Sequence, residues 1–151
     1  VVARFVARSI TKDKKILDFG CGPEFIQGKY LRDLGFNVAG WDFGENKPED
    51  CVDGLEQIYD VVFASNVLNV ISSQSMLTET LDQIKNCLKH DGVFIANYPQ
   101  SPRKMAMTDK EMCNIIQEKI GGIAHKISGV SSLMWVFTKD NENIERMNVG
   151  A

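Results

Sequence analysis

Ile16-Leu-Asp-Phe-Gly-Cys-Gly-Pro-Glu24 decides how this chain is read. Ile16-Leu-Asp-Phe has the composition of a buried strand, and Gly20-Cys-Gly-Pro stops it. Pro23 suits the first turn of a helix. The spacing carries that helix to about Leu34, with Gly35 as its C-cap. A glycine turn between strand and helix suits ligand binding, because glycine accepts positive φ and lets the backbone come close to a ligand. The helix start adds free N–H groups and partial positive charge, which suit a carboxylate. Asp18 adds a negative charge, which suits an ammonium or a sulfonium. A zwitterionic amino-acid tail asks for both.

The next strand, Asn37–Trp41, is closed by Asp42, about 20 residues beyond the turn. An acidic residue there commonly accepts hydrogen bonds from ribose hydroxyls. Phe43 follows and is placed to cover an adenine face. A nicotinamide dinucleotide is the natural rival ligand. Its fingerprint needs a small residue at the sixth position for close helix–strand packing. Counted from Gly20, that position is Phe25, and a bulky ring argues against a dinucleotide.

The rest of the chain alternates strands and helices. Val2, Phe5, Val6 and Ile10 recur at helical spacing, so residues 1–10 read as a short helix. Residues 43–54 read as loop, with a very short strand at Cys51-Val52. Tyr59–Ser65 is a buried strand, 74–89 a helix, His90-Asp91-Gly92 a turn and Val93–Asn97 a strand. A helix over 108–119 starts on Thr108 as N-cap. Strands around 122–128 and 133–138 flank Ser128–Ser132, which implies an antiparallel hairpin. The expectation is one α/β domain over residues 1–151, with a mostly parallel sheet and a closing hairpin. Ligands in such sheets lie beyond the carboxyl ends of the strands. Function should sit in the loops after Phe19, Trp41, Ala64 and Ala96.

Composition narrows the classes. The net charge of −3 lacks the basic footprint of a nucleic-acid binder. Arg4, Arg8, Lys12, Lys14 and Lys15, and later Arg103 and Lys104, read as solvated faces. Cys21, Cys51, Cys87 and Cys113 show no CxxC spacing, and only His90 and His125 could join them, so no metal site is expected. The thiols read as reduced, which suggests the cytoplasm. No apolar run approaches the ~18 residues of a membrane span. The missing initiator Met suggests a trimmed or partial chain.

The motifs in order resemble class I S-adenosylmethionine-dependent methyltransferases. Ile16–Pro23 is similar to motif I, Tyr59–Leu68 to the family's fourth-strand motif, and Leu88–Ala96 to the segment entering its fifth strand. The resemblance covers roughly residues 14–98 and implies a Rossmann-like three-layer sandwich with S-adenosyl-L-methionine as cofactor. It implies that Asp18, Phe19, Gly20, Cys21 and Gly22 hold the methionine part and Asp42 the ribose, with Phe43 beside the adenine. Asp53, Gly54 and Leu55 would lie near the adenine, and Ser65, Asn66 and Val67 would form the floor near the donor methyl. The sequence departs from the family at Glu24, where a third glycine is usual. The short span from Asp42 to Tyr59 leaves the third strand and its helix reduced or missing, and no large substrate insertion follows residue 99.

Catalysis is less constrained than cofactor binding. Methyl transfer from a sulfonium mainly needs alignment and exclusion of water. Asn66, Asn69 and Tyr98 are the candidate catalytic residues, with helix capping, turn formation and an exposed edge position as their structural roles. Asn97-Tyr98-Pro99-Gln100 superficially resembles the Asn-Pro-Pro-Tyr motif of amino-methylating enzymes, but it follows the wrong strand. Cys21 should serve through its backbone, and His125 reads as a satisfied structural histidine. The acidic balance favours a small-molecule acceptor, with nucleic acid and protein still open. The alternative to an active enzyme is a cofactor-binding module, inactive or dependent on a partner chain.

Overall fold

The computed structural model describes residues 1–44, 48–51, 53–99, 103–127 and 133–138. The apolar runs form one six-stranded sheet from β1 (Lys15–Phe19), β2 (Asn37–Trp41), β3 (Tyr59–Ala64), β4 (Leu88–Asn97), β5 (Ile123–Lys126) and β6 (Met134–Thr138), in the order β2-β1-β3-β4-β6-β5. The strands β2, β1, β3 and β4 run parallel, while β6 is antiparallel to both β4 and β5. This is the expected parallel sheet with a closing hairpin. The chain order reverses between β1 and β3, so a switch point opens at their carboxyl ends.

Alternate side chains of the parallel strands enter two cores, which is why both faces read as apolar. On one face Ile16, Val38, Val61, Phe63 and Ile95 pack under α1 (Val2–Ser9) and α2 (Ile26–Asp33). On the other, Leu17, Phe19, Val62, Phe94 and Phe137 pack under α3 (Gln74–Cys87) and α4 (Asp109–Ile120). The result is a three-layer sandwich. Helix α3 starts on Ser73, whose hydroxyl accepts from the Met76 N–H. Helix α4 starts on the expected Thr108, which forms a full capping box with Glu111.

Several expectations need correction. Cys51 lies in a 3-10 turn, Glu49–Cys51, not in a strand; Val52 lies outside the described residues, as do 128–132. Arg32 explains the turn: its guanidinium reaches Asp50 at 2.7 Å and the Cys51 sulfur at 3.4 Å. A polar anchor from α2 thus holds a segment that has no ladder to join. His90-Asp91-Gly92 is not a separate turn. Helix α3 ends at Cys87, and β4 begins at once, with Leu88 opposite Tyr59 and Val93 opposite Val61. The extra residues bulge outward, and Lys89 is held there by Asp60 at 2.9 Å.

Helix α2 starts at Ile26, three residues later than Pro23 suggested. Phe25 precedes it at φ 51°, a left-handed conformation that turns the chain into the helix. Its ring is buried between α2 and β2. A Cβ built on Gly28 would stand 1.9 Å from that ring, and one on Gly40 would stand 2.5 Å from it. These two glycines exist as a socket for Phe25. The Arg32 guanidinium lies over the same ring at 4.7 Å.

Gly28→Ala tests the socket. Alanine gains about 1 kcal/mol in a helix interior, but overpacking costs about 1–3 kcal/mol. With the added carbon this deep in the ring, the clash should win, and urea denaturation should show net destabilisation. In a Phe25→Ala background the same change should become stabilising. Equal shifts in both backgrounds would show that the ring is not the obstacle.

Candidate functional site

The carboxyl end of β1 carries a carboxylate into the apolar layer under α2. Asp18 is only 2% exposed, and its Oδ2 has no hydrogen-bond partner among the described residues. The N–H of Gly28, near the start of α2, donates to this carboxylate. Phe25 offers α2 no side-chain cap, so the strand supplies one. Burial, with the charge of Asp42 nearby, pushes Asp18 up to about 7 against the pull of the Gly28 N–H.

The turn after Asp18 doubles back onto β2. Gly20 and Cys21 donate to the Trp41 carbonyl at 2.7 and 3.1 Å. Gly20 and Gly22 take φ 77° and 73°, where glycine is the natural occupant. Asp42 accepts from the Gly22 N–H and from the Phe43 N–H, each at 2.7 Å. It therefore locks the turn to the end of β2. A Cβ on Gly22 would meet nothing within 4 Å, so this backbone borders open space. A cavity of about 320 Å³ lies along Cys21–Gln27. The Cys21 thiol is pushed up to about 12 by burial and by Asp18 and Asp42, which favours the protonated form over the thiolate.

The loop after β3 completes the rim. Val67 lies against Gly20, where a built Cβ would come within 2.6 Å of its side chain. Asn66 adopts φ 58°, and its backbone N–H donates to Asn97 Oδ1 at 2.6 Å. Asn97 Nδ2 in turn donates to Asn66 Oδ1 at 2.8 Å. Ser65 is half-buried beside this pair.

The structure therefore brings Asp18–Gly22, Asp42, Ser65, Asn66 and Val67 to one end of the sheet. Phe43 stands next to them, 39% exposed, edge-on to Trp41 at 4.7 Å. Asp53 is exposed, while Gly54 packs on Trp41 and its carbonyl accepts from the Tyr59 hydroxyl at 2.7 Å. Leu55 packs against the core of the α3 face.

Comparison with known proteins follows the same lines. The methyltransferase domain family matches residues 1–135. The chain belongs to that family. No curated protein matches it. Among solved structures it is similar to a TehB-like SAM-dependent methyltransferase from Corynebacterium glutamicum, at 20% identity and TM-score 0.67, covering 91% of this chain and 86% of that one. It is also similar to magnesium protoporphyrin IX methyltransferase from Synechocystis, a structure with bound SAM, at 16% identity and TM-score 0.62, covering 92% and 76%. TehB from Haemophilus influenzae aligns at 15% identity and TM-score 0.60, and this chain spans 61% of its length. The shared fold is the Rossmann-like fold of these methyltransferases.

In this methyltransferase domain Tyr98 is not an exposed edge residue. It is 1% exposed, its hydroxyl donates to the Met107 carbonyl at 3.0 Å, and its ring stacks on Trp135. Arg103, read as a solvated charge, is half-buried over the Tyr98 ring at 3.8 Å. Its guanidinium donates to the Tyr98 and Pro99 carbonyls and pairs with Asp109 at 2.6 Å. Asn69 is buried, and its carbonyl receives the Lys104 N–H at 3.1 Å, which ties the loops after β3 and β4 together. His125 is not satisfied as expected, because its Nε2 is buried without a partner among the described residues. Asn97 and Gly28 were missed at the sequence level. Nothing local marks them, since each acts on a residue from another element.

The Asp18 carboxyl gives a pH test on the ligand-free protein. Between its ordinary 3.8 and about 7, the folded protein keeps a proton that the unfolded chain has released. Its contribution to stability is therefore fully present below about 3.8 and is lost as pH rises through about 7. Asp18→Asn cannot ionise. In urea titrations the variant should gain stability over wild type as pH climbs through that window, and parallel curves would refute the assignment.

Proposed function

We propose that this methyltransferase domain transfers the methyl group of S-adenosylmethionine to a small molecule. The single observation that carries the reading is the orphaned Oδ2 of buried Asp18, beside a positive-φ glycine turn with open space over Gly22. A buried carboxylate with one oxygen left without a partner is costly unless a cation answers it. The cofactor's α-ammonium is such a cation, so the residues present fit the group.

When bound, S-adenosylmethionine supplies an electrophilic methyl on a sulfonium sulfur. The chain's own residues bind and orient it. Asp18 takes the ammonium, and the backbone of Phe19–Gly22 cradles the methionine part. Asp42 spends oxygen lone pairs on Gly22 and Phe43, but a carboxylate has about four such positions, which leaves acceptors for the ribose hydroxyls. Phe43, Asp53, Gly54 and Leu55 flank the adenine. Ser65, Asn66 and Val67 form the floor under the reacting methyl. The net charge of −3 favours a small acceptor over nucleic acid. The four free cysteines fit a cytoplasmic setting. No helix of the described residues is long and apolar enough to cross a membrane.

A second reading has one observation in its favour. The Tyr98 hydroxyl is spent on the Met107 carbonyl, and burial pushes its phenol above the usual range. It is a poor base as it stands. A module that binds the cofactor and works through a partner chain would need no base of its own. Label transfer from the methyl donor into a cell extract by the isolated chain would reject that reading.

Calorimetric titration with S-adenosylmethionine and S-adenosylhomocysteine tests the proposal. Both should bind at about pH 8, where Asp18 is ionised. Below about 7 the carboxyl must lose a proton before it can hold the ammonium, so affinity should fall about tenfold per pH unit. Asp42→Ala should weaken both ligands about tenfold or more through the lost ribose bonds. Heatless titrations with both compounds would end the proposal.

A further inference from the structure

One amide at the rim of this site has a settled orientation. The Asn66 backbone N–H donates to the Asn97 side chain at 2.6 Å. A backbone N–H can only donate, so its partner on Asn97 must be the oxygen. That choice fixes the other end of the Asn97 amide, whose Nδ2 lies 2.8 Å from the Asn66 side chain and needs an acceptor there. Asn66 therefore turns its Oδ1 inward. The group it has left is the NH₂, with N–H donors and no acceptor.

The rest of the structure holds this arrangement. Asn97 is 4% exposed at the end of β4, whereas Asn66 is exposed. Asn66 sits in the left-handed region, which asparagine tolerates better than most residues. The next residue, Val67, is packed against Gly20 of the cofactor turn.

We propose that Asn97 is a positioning residue that turns the Asn66 NH₂ toward the methyl acceptor, and that the acceptor is an oxyanion, such as a carboxylate. This rests on the reading that Ser65–Val67 lie beside the donor methyl. An oxyanion has several lone pairs. One can accept from Asn66 while another attacks the methyl carbon. An amine has a single lone pair, which cannot do both, and its own N–H groups would meet donors. The step balances without a proton: an oxygen lone pair forms the new C–O bond, the carbon–sulfur bond breaks, and its electron pair stays on sulfur. The negative charge of the acceptor and the positive charge of the sulfonium cancel. No base is needed, which agrees with a Tyr98 hydroxyl already committed elsewhere.

The test is NMR of protein carrying ¹⁵N in its asparagine side chains, saturated with S-adenosylhomocysteine. In the free protein the Asn97 NH₂ should exchange slowly and the Asn66 NH₂ fast; the reverse order overturns the orientation. Benzoate should shift the Asn66 NH₂ resonances, and benzylammonium should not. A response to benzylammonium, or to neither probe, overturns the proposal. Asn97→Asp is the decisive variant. It keeps an acceptor for the Asn66 N–H but offers no donor, so the Asn66 amide must flip and present its oxygen. Benzoate affinity should then drop about tenfold or more, and an unchanged affinity overturns the proposal. Failure of S-adenosylhomocysteine to bind at all would instead strike the cofactor reading, while the exchange order still reports the orientation.

Discussion

A carboxylate at the carboxyl end of β1 sets the terms for everything around it. Asp18 cannot reach water and must be answered from within the protein. The Gly28 N–H answers one side, which requires the start of α2 to lie over the end of β1. That placement in turn requires the chain to leave the glycine turn sharply, and Phe25 does so in a left-handed conformation. The second oxygen is left without a partner among the described residues. Helix position thus hangs on one buried group, and the proposed contact with the cofactor falls to its other oxygen.

The second half of the site is tied to the first by packing. Asn97 holds Asn66, Asn66 leads into Val67, and Val67 rests on Gly20. Gly20 is bonded to the Trp41 carbonyl, and Asp42 at the end of the same strand grips Gly22. The ends of four parallel strands are therefore linked through polar bonds and one close contact. Such a set of loops has little freedom to rearrange independently. It can keep donor and acceptor aligned, which is the main demand of methyl transfer.

The parts legible in the sequence are those determined locally. Tyr59-Asp-Val-Val-Phe-Ala reads as a buried strand because its apolar run is near-continuous, and Thr108 reads as a cap because a threonine stands at the head of a helical stretch. The glycine turn announces itself through residues that tolerate positive φ. What stayed hidden depends on distant partners. Tyr98 looked exposed because the Arg103 guanidinium and the Met107 carbonyl that bury and satisfy it come from further along the chain. His90-Asp91-Gly92 looked like a turn because polar residues at a bulge carry the same composition as a loop. Asn97 drew notice only through a motif that follows the wrong strand, since its partner lies in a loop some 30 residues away.

Glu24 is the instructive case. Taken alone, it is a departure from motif I, standing where the family usually has a third glycine. In the structure Glu24 is exposed and lines the cavity along Cys21–Gln27. Close helix–strand contact is provided by Gly28 on the helix and Gly40 on the strand, and the volume they leave is filled by Phe25. The same ring that argues against a dinucleotide is what wedges α2 against β2. Close packing is thus kept by an interlocked aromatic rather than by bare backbone contact. The helix starts later as a result, and the backbone at Gly22 is left bordering open space. The departure from the family pattern at Glu24 thus leaves the packing of the helix on the sheet intact.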